Sequence, residues 1–338
     1  PYTTLFRSVG IAMAVGMLVT WAGLVPILTA MHGASGDIAA LVDDTFRNDV
    51  RFIGAGTIGV AALWSLLRIL GPIIRGIRAA MATADARKSG QALALTERDL
   101  PIGIVGGTIL ALLLPIAGLL WVFAADTAIA DGIAPVILGT LVYVLVIGVV
   151  IASVCGYMAG LIGASNSPVS GVGILAVLGA ALLLVLVYGR GGTVEQTQAL
   201  IAYAIFTTGI VFSIATISND NLQDLKTGQL VGATPWKQQV ALVIGVIFGS
   251  LVIPPVLDLL NEAFGFFGAP NAGPNALAAP QAALISALAR GVLGDSLNWG
   301  LIGFGAVLGA VSIIVDETLG RFGKMRLPPL CEFSTVAV

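Results

Sequence analysis

The stretch Cys155-Gly-Tyr-Met-Ala-Gly-Leu-Ile-Gly-Ala-Ser-Asn-Ser-Pro-Val-Ser-Gly171 decides the fold of this chain. It lies between two long apolar runs, 133–154 and 172–188, and it is rich in polar residues and in residues that break helices. An unpaired backbone amide or carbonyl costs several kcal/mol in lipid, so such a segment persists there only where protein shelters it or where it lines a wet cavity. The stretch therefore predicts a broken helix beside membrane spans, which is a candidate site of binding or permeation.

The composition indicates a membrane-embedded chain. Hydrophobic residues make up 57% and charged residues 10%, whereas a soluble domain carries about 25% charged residues. We predict an all-α polytopic membrane helix bundle with about seven transmembrane spans, a re-entrant hairpin and a broken helix. Apolar segments close to the ~20 residues that a span needs lie at 9–31, 52–70, 102–123, 133–154, 172–188, 199–217, 240–257 and 299–315.

Charge sets the expected orientation and leaves one segment open. The polar loop 75–99 carries five basic residues and therefore marks the cytoplasmic side. The segment 281–294 is short for a crossing and contains Arg290. As a re-entrant hairpin it keeps the basic residues after the last span inside, as the charge rule prefers, whereas as a full span it puts them outside. We favour re-entry.

The sequence argues against metal and haem sites, nucleic-acid binding and enzyme activity. The single histidine, His32, and the two cysteines argue against a metal cluster or a haem site. No basic patch with interleaved aromatic residues is present, so we expect no nucleic-acid partner. The run Gly291-Val-Leu-Gly-Asp295 lacks the glycine two residues before the aspartate that intramembrane aspartyl proteases need. We therefore expect no enzyme activity and no cofactor.

The first polar constellation lies inside the opening stretch. Pro168 removes a backbone donor and disfavours helix at the preceding residue. Freed carbonyls and polar side chains could then coordinate a cation or a peptide backbone, and the N-terminus of the next helix would favour an anionic group. The alternative is a plain cytoplasmic turn between two spans. The candidate substrate or ion pathway residues are Tyr157, Ser165, Asn166, Ser167, Pro168 and Gly171.

The second polar constellation follows the apolar segment 199–217. Asp220 and Asp224 are four residues apart, so on a helix they share a face. A carboxylate at the mouth of a bundle could bind a coupling proton or cation, whereas Asn and Asp near helix ends are also common caps. Lys226 could pair with a neighbouring carboxylate. The candidate residues are Asn219, Asp220, Asp224 and Lys226, with Asp220 nearest the apolar segment.

Glycines four residues apart recur along the spans and favour close helix packing. We interpret them as contacts within one bundle, with a homo-oligomer as the alternative. The aromatic residue of Gly232-Ala-Thr-Pro-Trp236 is expected to anchor the chain at the membrane interface. The glycine pairs are Gly103/Gly107, Gly156/Gly160, Gly245/Gly249 and Gly305/Gly309.

At the two polar constellations the sequence resembles the oligopeptide transporter (OPT) superfamily, in particular its prokaryotic branch. The resemblance runs from about residue 9 to residue 330 and would cover roughly the C-terminal half of a family member. We therefore expect 9–330 to be a partial OPT-type transmembrane domain. The first eight residues resemble a translated sequencing adapter, and 331–338 resemble a frameshift or assembly scar. The matching runs are Cys155–Gly163, Asn166–Gly171, Asn219-Asp220, Leu222–Gly228, Val231–Gln239, Ala279–Ala282, Ile314–Glu317 and Lys324–Pro329.

The resemblance implies secondary active transport: proton-coupled symport of small peptides or, as in the yellow-stripe-like branch, of metal chelates. Its partners would then be such a solute, protons and membrane lipid, in a multi-pass protein of the inner (plasma) membrane. By position, Asn166, Ser167, Pro168 and Gly171 would belong to the broken substrate region, and the second constellation to the polar end of the following span. The alternatives are a passive membrane channel, which should show a repeated ring motif or an oligomeric pore, and a non-transporting membrane scaffold.

Overall fold

The structure is a computed structural model that describes residues 11, 13–33, 37–88, 94–163, 167, 169–190, 192–266, 269, 272–294 and 297–321. A π-helical turn, Leu18–Leu24, leads into α1, and a second one, Phe46–Val50, joins α2 to α3 without a break. A 3₁₀ turn, Leu95–Glu97, precedes α4. The helices are α1 (Val25–His32), α2 (Ile38–Thr45), α3 (Arg51–Lys88), α4 (Ile102–Ala125), α5 (Ile133–Ile162), α6 (Val169–Tyr188), α7 (Val194–Val231), α8 (Pro235–Ala263), α9 (Pro280–Leu293) and α10 (Trp299–Arg321).

The predicted all-α polytopic membrane fold is confirmed. In the described part of the chain, eight helical segments are long and apolar enough to cross a membrane, against the predicted count of about seven. They coincide with the eight apolar segments of the sequence. Helix α9 has 14 residues and therefore rises only about 21 Å, which is less than the ~30 Å hydrocarbon core. Its re-entry stays a prediction.

Two helices are much longer than the sequence predicted. The spans 52–70 and 199–217 lie inside α3 and α7, which have 38 residues each. A helix of that length rises about 57 Å, nearly twice the hydrocarbon thickness. The prediction of a loop from residue 75 onward is therefore wrong, because α3 runs on to Lys88. Polar side chains outside lipid do not end a helix, and α7 ends only where Gly232 adopts a left-handed conformation with φ 76°.

The chain forms two compact units. The first contains the described residues up to Arg68, helix α6 and the described residues from Leu284 to Arg321. Within it, α3 and α10 cross with their backbones in contact: a Cβ at Gly305 would overlap the carbonyl of Ile53. The Thr57 hydroxyl lies 2.9 Å from the carbonyl oxygen of Gly305, to which it donates. Further along the two helices the Arg68 guanidinium lies 3.3 Å from the Glu317 carboxylate.

The second unit contains Ile69–Ser167 and Gly192–Ala283. Its core is the long contact between α5 and α7. Phe123 of α4 and Phe206 of α7 also stack, with their ring centroids 4.6 Å apart. Helix α8 buries none of its residues. The buried residues of α7 recur every three or four positions and include Leu200, Tyr203, Ala204, Thr207, Thr208, Val211, Ala215 and Asn219.

The glycine pairs behave differently from one another. Gly305 and Gly309 both meet the backbone of α3, and Gly156 of α5 meets Ser218 and Leu222 of α7. These contacts confirm close helix packing at Gly305/Gly309 and at Gly156, whereas its pair partner Gly160 has no described neighbour within 4 Å of the position of a Cβ. Around Gly103, Gly107 and Gly245 no described neighbour lies within 4 Å of the position that a Cβ would occupy. The homo-oligomer stays a prediction.

Candidate functional site

The first constellation is only partly visible. Ser165, Asn166 and Pro168 lie outside the described residues. Helix α5 ends at Gly163, whose φ of 89° suits glycine, and Tyr157 lies half-buried on the last turns of this helix. The hydroxyl of half-buried Ser167 donates to the carbonyl of Cys155 at 3.4 Å.

Gly171, on the first turn of α6, lies beside the middle of an apolar run. A methyl group at this position would lie 2.8 Å from Cβ of Ala62 and 3.0 Å from Cγ2 of Ile58 on α3. Those two residues stand midway between Arg51 and Arg68, which are the charged ends of a run that rises about 26 Å. Helix α6 therefore begins at the depth of the apolar part of α3, far from either charged end.

The second constellation lies on the extended part of α7. Asn219 is buried, with 6% of its surface exposed, while Asp220 and Asp224 are exposed. Ser218 fixes this part of the helix, because its hydroxyl donates to the carbonyl of Ala152 on α5 at 2.6 Å. The expected ion pair of Lys226 with a carboxylate is not what the structure records: its ammonium donates to Oε1 of Gln229 at 3.0 Å.

The run 231–239 has a positioning role that the sequence did not indicate. The backbone N–H of Trp236 donates to the carbonyl of Arg98 at 3.2 Å, and the amide of Gln239 donates to the carboxylate of Asp99 at 3.2 Å. The side-chain amide of Gln238 donates to the carbonyl of Asp224 at 3.1 Å. These bonds hold the α7–α8 turn against the segment before α4, so the Gln pair fixes the polar end of α7.

A buried polar contact joins α5 and α7. The hydroxyl of Tyr203 donates to Oγ1 of Thr140 at 3.2 Å, and both side chains are fully buried. Nothing in the sequence pattern distinguished this tyrosine from an aromatic residue that only packs. Because the interior offers no water to replace the bond, the contact favours one register of the two helices.

Tyr203→Phe is expected to destabilise the protein by about 0.5–1.5 kcal/mol, because it removes a buried hydrogen bond and leaves the Thr140 hydroxyl without it. SDS-induced unfolding in mixed micelles measures the effect. In the double variant Tyr203→Phe/Thr140→Val both polar groups are gone, and its destabilisation is expected to be smaller than the sum of the single ones. Strict additivity would show that the two hydroxyls do not interact.

The described residues contain no group of three or more His, Cys, Asp or Glu side chains that could hold a metal ion. Taken separately, the two constellations offer neutral polar groups, among them the Ser167 hydroxyl and the Asn219 amide, and α7 adds carboxylates on its exposed face. Such groups suit a polar solute or a hydrated cation.

A family model described as OPT oligopeptide transporter protein matches residues 7–336. The chain belongs to this family. A protein of Haemophilus influenzae named "Putative oligopeptide transporter" is 42% identical to the OPT chain over 327 residues, which is 92% of the chain and 51% of that protein. The OPT chain thus spans about half the length of this relative.

Two plant proteins match shorter parts of the OPT chain. "Probable metal-nicotianamine transporter YSL10" of Oryza sativa subsp. japonica is 26% identical over 147 residues, 43% of the chain and 21% of that protein. "Probable metal-nicotianamine transporter YSL8" of Arabidopsis thaliana is 32% identical over 129 residues, 36% of the chain and 17% of that protein. These relatives are named as transporters and not as enzymes. No solved structure matches the chain.

Proposed function

We propose that the protein containing these residues is a secondary active transporter that takes up small peptides or peptide-like metal chelates together with protons, across the inner (plasma) membrane. Membership of the OPT family carries this proposal. The relatives named for oligopeptides and for metal-nicotianamine chelates support a solute of peptide or chelate chemistry.

The geometry of α6 supports a substrate region at its start. Gly171 packs against the middle of the apolar run of α3, which supports our proposal that α6 begins within the hydrocarbon, where lipid supplies no hydrogen bonds. The dipole of a helix and the outward-directed N–H groups of its first turn favour an anionic group such as a peptide carboxylate. Asn166, Ser167 and Pro168 directly precede this helix end, and Ser165 and Tyr157 complete the proposed region.

The extended part of α7 supports a second part of the pathway. Asn219 is buried next to the α5–α7 contact, and Asp220 and Asp224 follow it on an exposed face. We assign the coupling proton to Asp220, since it is the carboxylate nearest the apolar part of the helix. Lys226 lies two turns further along and would attract an anionic solute.

Uptake into proteoliposomes under an imposed pH gradient tests this function. The full-length protein is reconstituted, and a panel of di- to hexapeptides and metal chelates is offered with the outside acidic. Accumulation above the outside concentration, abolished by a protonophore, is expected. Equilibration without accumulation would identify a passive channel. If the reconstituted protein is folded and no solute crosses the membrane, the result would favour the non-transporting scaffold.

A further inference from the structure

One turn of α5 contacts residues of both polar constellations. The hydroxyl of Ser218 on α7 donates to the carbonyl of Ala152 at 2.6 Å, and the hydroxyl of Ser167 donates to the carbonyl of Cys155 at 3.4 Å. The two acceptors are three residues apart in α5, which corresponds to about 4.5 Å of helix rise and to one side of the helix. All four residues belong to the second compact unit. The two hydroxyls are therefore held at nearly the same level of α5.

Gly156, the next residue of α5, permits this close approach to α7. A Cβ at this position would lie 2.7 Å from Oγ of Ser218 and 3.0 Å from Cγ of Leu222. The Ser218 hydroxyl could move away only by giving up its bond to the Ala152 carbonyl. At Gly160, one turn further along α5, no described atom lies within 4 Å of such a Cβ. The close contact with α7 is therefore specific to position 156 of this glycine pair.

The residues that this contact places are neutral and polar. Asn219 directly follows Ser218 in α7 and is buried, and Ser167 is half-buried. An asparagine amide both donates and accepts, and a serine oxygen still accepts after its hydrogen has been donated. A peptide group, with one donor and one acceptor, matches such groups. Because binding depends on how the polar groups are placed relative to one another, a shift of α7 along α5 would weaken it.

We propose that Gly156 is a positioning residue that brings the two polar constellations into one solute-binding site. It lets α7 lie so close to the turn 152–156 of α5 that Ser167 and Asn219 bind the same solute. The inference rests on the proposed function, and the solute class is the same: a small peptide or a peptide-like chelate. Gly156 does not touch the solute, and its replacement acts by displacing α7.

Peptide uptake by the full-length protein tests this role. Gly156→Ala is expected to raise the KM about two- to tenfold, which is the effect of weakening about one hydrogen bond to the solute, while the maximal rate stays within about twofold. Gly160→Ala is the matched control, because it makes the same change in the same helix and gains the same helix propensity. Its KM is expected to equal that of the wild type. An unchanged KM in Gly156→Ala, or an equal rise in Gly160→Ala, overturns the proposal.

Removing the atoms that the new methyl group would meet tests the cause of the effect. In the background Ser218→Ala/Leu222→Ala, the addition of Gly156→Ala is expected to leave the KM of that background unchanged, because the space is already there. The comparison remains decisive if Gly156→Ala alone does not fold. A two- to tenfold rise in this background as well would show that Gly156 does not act through α7, which contradicts the proposal.

Cross-linking tests the juxtaposition without transport. In a full-length variant without native cysteines, Ser167→Cys/Ser218→Cys is expected to be linked by a short bifunctional thiol reagent, with mass spectrometry detecting the linked peptides. The control pair is Ser167→Cys/Ser213→Cys, since Ser213 lies more than one turn earlier in α7 and is exposed; it is expected to link less. Equal linking of the two pairs rules out the shared site. If the first pair links preferentially and the wild type takes up no peptide, the proposed function fails and the juxtaposition stands.

Discussion

Gly305→Leu is expected to disrupt the crossing of α3 and α10, whereas Gly303→Leu on the same helix is expected to be tolerated. At Gly305 a Cβ would already overlap the Ile53 carbonyl, and backbone atoms cannot move aside as a flexible side chain can. Around Gly303 no described atom lies within 4 Å of such a Cβ. Separating the helices would also break the bond from Thr57 to the Gly305 carbonyl. Overpacking of this kind costs about 1–3 kcal/mol or more.

Unfolding in SDS micelles, followed by circular dichroism, measures the difference between these variants. Both add the same apolar side chain to the same helix, so the change in helix propensity is matched between them. Gly305→Leu is expected to lose most of its folded fraction under conditions where Gly303→Leu resembles the wild type. Equal stability of the two variants would mean that α3 and α10 do not pack through Gly305.

Asp220→Asn in the full-length protein is expected to abolish accumulation driven by a pH gradient while leaving peptide exchange across the membrane intact. The amide keeps the shape of the side chain and loses the ability to bind and release a proton. Because Asp220 is exposed, its replacement should not unfold α7. Counterflow of labelled peptide in the absence of a gradient measures exchange, and uptake with acid outside measures accumulation.

Glu195→Gln provides the matched control for Asp220→Asn. It removes one exposed carboxylate from the first turn of the same helix, and wild-type accumulation is expected. If Asp220→Asn accumulates peptide as the wild type does, Asp220 is not the proton carrier. If Asp220→Asn loses exchange as well, the residue serves the solute pathway and not the coupling step.

The helical membrane fold was predictable because lipid restricts the choice. A chain with so many apolar residues must satisfy its backbone within each span, and helices do so. The positions of the apolar segments followed from composition alone, and all eight are helices in the structure. The ends of the helices could not be predicted in this way. Hydropathy indicates where the chain leaves the hydrocarbon, but the hydrogen bonds of a helix can continue beyond that point. Hence α3 and α7 continue well past the predicted boundaries.

The candidate site was predictable only in part. Pro168 and its neighbours marked a break, because proline and serine at that place conflict with a continuous span. The sequence did not indicate which helix packs against the start of α6. Gly171 lies against Ile58 and Ala62, which are more than a hundred residues earlier in the chain. The sequence also did not predict the hydrogen bonds of Gln238 and Gln239, because a glutamine near a turn gives no indication of which residue it will contact.

By itself the sequence determined that the chain is a set of membrane-crossing helices with a break before α6. The reason is that lipid offers no hydrogen bonds, so a long apolar run must form helix, and the polar, proline-containing stretch interrupts it. Only the tertiary structure decided which helices touch: the backbone contact at Gly305, the buried Tyr203–Thr140 bond and the bond from Ser218 to the Ala152 carbonyl. Apolar side chains of different helices contact lipid equally well, so their composition does not specify which helices pack together. Pairing is determined by the shapes of the helix surfaces and by the few polar groups that form hydrogen bonds between helices.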